Sequence, residues 1–185
     1  WDYPKGKEYP IRCSRNLKTC PKEHAHQEPH PQKGSRTPQE TWENVTMKEL
    51  EEKNLSVSIS NGTLPGVPFL AIKEKVLGKK YELSIAFVSP SRAQALNIEH
   101  RNKDYIPNTL SFSLTATSGE IILCMSALKK QYKEWDMDLD SYITYILIHS
   151  MLHLIGMEHG GTMERKEKKL LAFFTTHEIK HNRRH

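Results

Sequence analysis

The chain has 185 residues, with 27 Lys or Arg against 22 Asp or Glu and a net charge of +5. That length fits one domain, or one domain with an extension. No run of 18 apolar residues occurs, which excludes a membrane-spanning helix and predicts no membrane partner. The basic excess is small, so it favours an anionic partner only weakly.

Residues 1–46 hold six of the ten prolines, and their only aliphatics larger than Ala are Ile11, Leu17 and Val45. Such a segment buries too little apolar surface to offset the entropy of ordering. It is expected to be a disordered Pro/His-rich leader, with His24, His26 and His30 solvated. It lacks the apolar core of a secretory signal. A domain is expected over 47–185, where 19 basic residues face 16 acidic ones. Cys13 and Cys20 match no common zinc spacing, and Cys124 follows an apolar run where a buried thiol is expected. Three cysteines without a framework fit a reducing, cytoplasmic location.

The elements follow in order. Leu55 to Ser60 alternates apolar and polar residues, the signature of a half-buried strand. Asn61-Gly62 turns the chain, and 65–77 reads as a helix stopped by Gly78. Tyr81 to Val88 is a second strand. Ser91 is placed to cap a helix running to about His100, with Ala93, Leu96 and Ala95 inward. Thr109 to Leu114 and Glu120 to Cys124 are two further strands joined by a short Thr/Ser/Gly loop. Met125 to Glu134 looks helical, Asp138 to Ile155 forms a long helix, and Glu164 to Ile179 forms a charged amphipathic one. Within it, Glu164 and Glu167 alternate with Arg165, Lys166, Lys168 and Lys169, a pattern of solvation and i,i+4 pairing. This order predicts an α+β fold with a single small mixed sheet of about four strands and surrounding helices.

Chemistry concentrates at the end of the long helix. His149 and His153 share one helical face, about 5–6 Å apart at Cβ. Gly156 lets the helix stop and the chain reverse, so His159 can return as a third imidazole. Three protein ligands leave a coordination position open, which is the arrangement of a catalytic metal site. The ligand spacing also occurs in metzincin peptidases, where Glu follows the first His as the base. Here that residue is Ser150, which cannot act as a base at neutral pH.

The segment resembles that of the YbeY family, metal-dependent endoribonucleases of rRNA maturation, with the pattern His-Gly-x-Leu-His-Leu-x-Gly-Tyr-Asp-His. His149, Leu152, His153, Leu154, Gly156 and His159 match it, whereas Ser150, Met157 and Glu158 depart from it. A second block runs from Arg101 through Asp104, Asn108 and Leu110 to Phe112. It is similar to the family's Arg-x-Lys-Asp-x-x-Thr-Asp/Asn-Val-Leu-Ser-Phe-Pro, with Ser113 in the place of the last Pro. Gly119-Glu120-Ile121 resembles the opening of the family's next strand. The likeness covers roughly residues 55–175.

The resemblance implies the fold already expected, with the metal at the sheet's edge. It implies a single-strand-directed endoribonuclease that processes rRNA at a 16S-type 3′ end and serves ribosome quality control. Its partners are then rRNA and the small ribosomal subunit. His149, His153 and His159 are the expected ligands of one divalent ion, Zn2+. Arg101 is the expected catalytic cation, suited to the charge that builds on phosphate oxygens. Lys103, Lys129, Lys130 and Lys133 are candidate RNA contacts. Glu158 and Glu120 are candidate bases. A metallopeptidase lacking its usual Glu, and a non-catalytic RNA-binding or ribosome-binding module held by metal, are the alternatives.

Overall fold

The computed structural model describes residues 48–181; the leader, with its histidines and first two cysteines, lies outside them. Five strands form one sheet: β1 (Lys48–Glu52), β2 (Leu55–Ile59), β3 (Glu82–Val88), β4 (Thr109–Thr115) and β5 (Ser118–Cys124). The helices are α1 (Phe69–Val76), α2 (Pro90–Arg101), α3 (Met125–Gln131), α4 (Leu139–Leu154) and α5 (Gly161–His181), with a 3-10 turn, Tyr132–Glu134, after α3. Sheet order is β1-β2-β3-β5-β4. The pairs β2–β3 and β3–β5 are parallel, and β1–β2 and β4–β5 antiparallel. The α+β class and mixed sheet agree with expectation.

The fifth strand is the difference. β1 reads Lys-Glu-Leu-Glu-Glu, in which only Leu50 offers an apolar side chain. Its strand state comes from pairing with β2 across a turn at Lys53 and Asn54, both at positive φ (23° and 64°). Helix starts differ for local reasons. Pro65 and Pro68 delay α1 to Phe69, since Pro lacks the N–H and restricts the residue before it. Ser89, rather than Ser91, caps α2: its Oγ accepts from the Arg92 N–H at 3.3 Å, with Pro90 at the first helical position. Ala95 is exposed, while Ala93 is buried and Leu96 half-buried.

One face of the sheet carries Leu55, Val57, Ile59, Leu83, Ile85, Phe87, Ile121 and Leu123, all at most 3% exposed. Against them pack α1 and α4. The N-terminus of α4 is fixed by Asp138, whose carboxylate accepts from the Ser141 N–H (2.8 Å) and hydroxyl (2.9 Å). Those bonds hold its carboxyl below the usual range. Every residue from Tyr142 to Leu154 is buried, so α4 is a central helix enclosed by the sheet, α1, α3 and α5. Ile146 is wholly enclosed. Ile146→Ala is expected to lower unfolding free energy by about 2–5 kcal/mol, read as a reduced urea midpoint at unchanged slope.

Gly119 is required by packing. A Cβ there would lie 2.7 Å from the Tyr81 hydroxyl and 3.0 Å from Leu154 Cδ2, so β5 passes the last turn of α4 closely because it carries no side chain at that point.

Candidate metal centre

The C-terminus of α4 builds the site through its backbone. Ile155 ends the helix and Gly156 takes φ +82°. The Gly156 N–H donates to the His153 carbonyl at 2.9 Å and the Met157 N–H to the Leu152 carbonyl at 3.0 Å. That pair of bonds is the Schellman closure. It folds Met157 back over the helix end, where its carbonyl accepts from His153 Nδ1–H at 2.8 Å. Two residues later His159 faces the helical pair. Ring centroids are 4.6 Å apart for His149–His153, 5.1 Å for His149–His159 and 4.7 Å for His153–His159.

The nitrogens converge. His149 Nδ1–H donates to Glu167 Oε1 at 2.6 Å. With both Nδ1 protons committed, each ring presents an Nε2 lone pair, and the two Nε2 atoms stand 3.0 Å apart. Two acceptors facing at that distance attract only through a shared cation. Tetrahedral coordination at roughly 2.0–2.1 Å places ligand nitrogens about 3.3 Å apart, close to the separation found. Ligand atoms of all three imidazoles lie within 4.8 Å of one another. Three nitrogen donors with two tautomers fixed fit a divalent transition ion such as zinc.

Burial divides the triad into two enclosed members and an open one. His149 and His153 are 3% and 8% exposed, while His159 is exposed. Burial, followed by the neighbouring His149, drives His153 down to about 4, against the raising effect of the Met157 carbonyl. His153 is therefore neutral at physiological pH, the form that ligates metal. Tyr145, Gly160, Met163 and Glu164 line the cleft with His149, His159 and Glu167.

Two residues acquire roles that the sequence reading did not give them. Glu167 is 3% exposed, not a solvated member of a charged run. It falls in phase with Met163, Leu170 and Phe174, the buried stripe of α5, and that phase was the available signal. Ser150 is 1% exposed, and its Oγ lies 3.1 Å from Thr109 Oγ1. It ties α4 to β4.

The remaining candidates lie on other elements and loops. Arg101 is half-buried in the last turn of α2. Lys103 is exposed in the following loop, and Lys129, Lys130 and Lys133 are exposed on α3 and the 3-10 turn. Glu158 is exposed beside His159. Glu120 pairs with Phe112 and Ser84 in mid-sheet. It alternates with Ile121, which faces the α4 core, so it belongs to the face away from the histidines.

The family model described as "Endoribonuclease YbeY" matches residues 44–175. Among curated relatives, an "Endoribonuclease YbeY" of Finegoldia magna is 33% identical over 114 residues, 55% of this chain and 74% of that protein. One of Bdellovibrio bacteriovorus is 36% identical over 95 residues, 50% of this chain and 61% of that protein. The solution structure of TM1509 from Thermotoga maritima is similar at a TM-score of 0.46 and 23% identity, covering 63% of this chain and 86% of that one. With the family match spanning most of the chain and the three histidines of its motif gathered at one point, the protein belongs to the YbeY family of endoribonucleases, hydrolases that act on RNA.

Proposed function

We propose that this chain is a metal-dependent endoribonuclease that cuts single-stranded RNA in rRNA maturation, at a 16S-type 3′ end, and in ribosome quality control. The observation that carries the reading is the convergence of His149, His153 and His159 within a chain of this family. Those three residues would hold one divalent ion, zinc in this reading. A bound ion of this kind polarises a phosphate oxygen and lowers the pKa of coordinated water.

The chain's own residues supply the rest. His149 and His153 are oriented by Glu167 and the Met157 carbonyl. The exposed His159 leaves the cleft open to a bulky substrate. Arg101 is assigned to the phosphate, where its planar fork offers paired hydrogen bonds to nonbridging oxygens as charge develops. Lys103, Lys129, Lys130 and Lys133, all exposed, are assigned to the phosphate backbone, so affinity should fall as salt rises. The proposed setting is the cytoplasm, with the small ribosomal subunit as partner. Among the described residues no helix is long and apolar enough to cross a membrane.

The test is cleavage of a single-stranded RNA ending in an rRNA 3′ sequence by the full chain. Cleavage should stop with chelator and return with added zinc. Chelator-insensitive cleavage would sink the metal-dependent reading. RNA binding without turnover would favour a binding module, and cleavage of a peptide would favour a peptidase.

A further inference from the structure

We propose that Glu167 is the positioning residue for His149, and that through it the docking of α5 is coupled to occupancy of the metal site. The inference rests on the three histidines being metal ligands, not on the substrate being RNA.

The two buried histidines are oriented in different ways. His153 is held locally: the acceptor for its Nδ1–H is the carbonyl of Met157, four residues on and fixed by the Gly156 turn. His149 depends on another element. Its acceptor, Glu167 Oε1, lies 18 residues away on α5, at 2.6 Å. A carboxylate accepts and does not donate, so the contact requires the proton on Nδ1 and leaves the Nε2 lone pair for the ion. Without that acceptor, His149 is free to take the other tautomer, with its proton on Nε2. That proton would point at His153 Nε2, 3.0 Å away, and would block the position an ion needs.

Packing alone gives no reason for an acid here. Met163, Leu170 and Phe174 form the rest of the buried stripe of α5, and an apolar side chain would continue it without the cost of desolvating a carboxylate. The acidic group is useful because His149 needs an acceptor. Linkage then runs both ways. Docked α5 favours the ligating tautomer, and a bound ion, by withdrawing charge from His149, strengthens the bond to Glu167 and holds α5 down.

The test uses the full chain and zinc alone. Zinc affinity is read by chelator competition, the His149 tautomer by long-range proton–nitrogen spectra of the metal-free protein, and α5 docking by amide hydrogen exchange. Glu167→Leu keeps bulk without an acceptor and is expected to bind zinc about 10–100-fold more weakly. Glu167→Gln keeps a carbonyl acceptor, so it should retain the Nδ1–H tautomer and recover most of that loss. In the unsubstituted chain zinc should slow exchange along α5. Equal zinc affinity in E167L and the unsubstituted chain overturns the assignment, as does a loss that E167Q fails to recover. Exchange in α5 that is indifferent to zinc overturns the coupling, and this measurement needs no variant to fold. A chain that meets all these expectations yet cuts no RNA leaves Glu167's role standing and removes the endoribonuclease reading.

Discussion

Replacing His153 by alanine is expected to abolish both stoichiometric zinc and RNA cleavage. Structural zinc sites with four ligands bind with about 10–16 kcal/mol, so one nitrogen ligand is worth roughly 3–4 kcal/mol. At 1.4 kcal/mol per decade the variant should bind zinc about 10²–10³-fold more weakly. His153 is buried and bonded to the Met157 carbonyl, so its loss also disturbs the turn. His159→Ala supplies the control. His159 is exposed on that turn, so its removal costs little packing yet takes away one of the three donors. Zinc content measured by mass spectrometry, beside circular dichroism to show that both variants are folded, decides the matter. Folded H153A retaining one zinc per chain would remove this histidine from the ligand set.

The parts of this site legible in the sequence are those fixed by local geometry. A four-residue separation on a helix places His149 beside His153. A glycine after the last helical contact announces the left-handed residue that returns the chain toward His159. The strands β2 and β3 were readable for the same reason, because burial of one face writes a period of two. What was not legible depends on partners far along the chain. β1 exists because β2 offers it an edge, and its own residues are mostly charged. Glu167 sits among Arg165, Lys166, Lys168 and Lys169, so its neighbours suggest water; only its phase with Met163, Leu170 and Phe174 turns it inward. Lys73 is a similar case. It is 0% exposed, with Nζ donating to the Lys79 carbonyl at 3.0 Å, and burial pulls its ammonium below the ordinary value.

The two sequence blocks that carry the family likeness meet where β4 packs beside α4. Thr109 opens β4 and its hydroxyl reaches Ser150, the residue after His149. Asn108 Oδ1 accepts from the Thr109 N–H at 2.8 Å, and its carbonyl accepts from the Cys124 N–H at 3.0 Å. The loop between Arg101 and β4 is therefore anchored at its far end to the histidine helix and to the sheet. Its near end is held by Gln94, which donates to Asp104 at 2.7 Å, and by Asn97, which donates to the Tyr105 carbonyl at 3.0 Å. The loop that follows Arg101 is thus braced at both ends.

Arg101→Ala is accordingly expected to slow RNA cleavage about 10²–10³-fold, the cost of removing one preorganised donor from a developing oxyanion. Zinc content should be unchanged, because the Nδ1 protons of His149 and His153 are held by Glu167 and the Met157 carbonyl and not by Arg101. The lysine variant separates charge from geometry. Lys offers a point charge where Arg offers two parallel N–H groups, so R101K should recover only a small part of the rate, with binding of a non-cleavable RNA little altered in either variant. That combination, a fall in single-turnover rate at constant zinc and nearly constant RNA affinity, is the signature of a group that acts on the transition state. A variant that cleaves normally would move Arg101 out of the reaction and return it to the simpler role of a cation at the C-terminal end of α2.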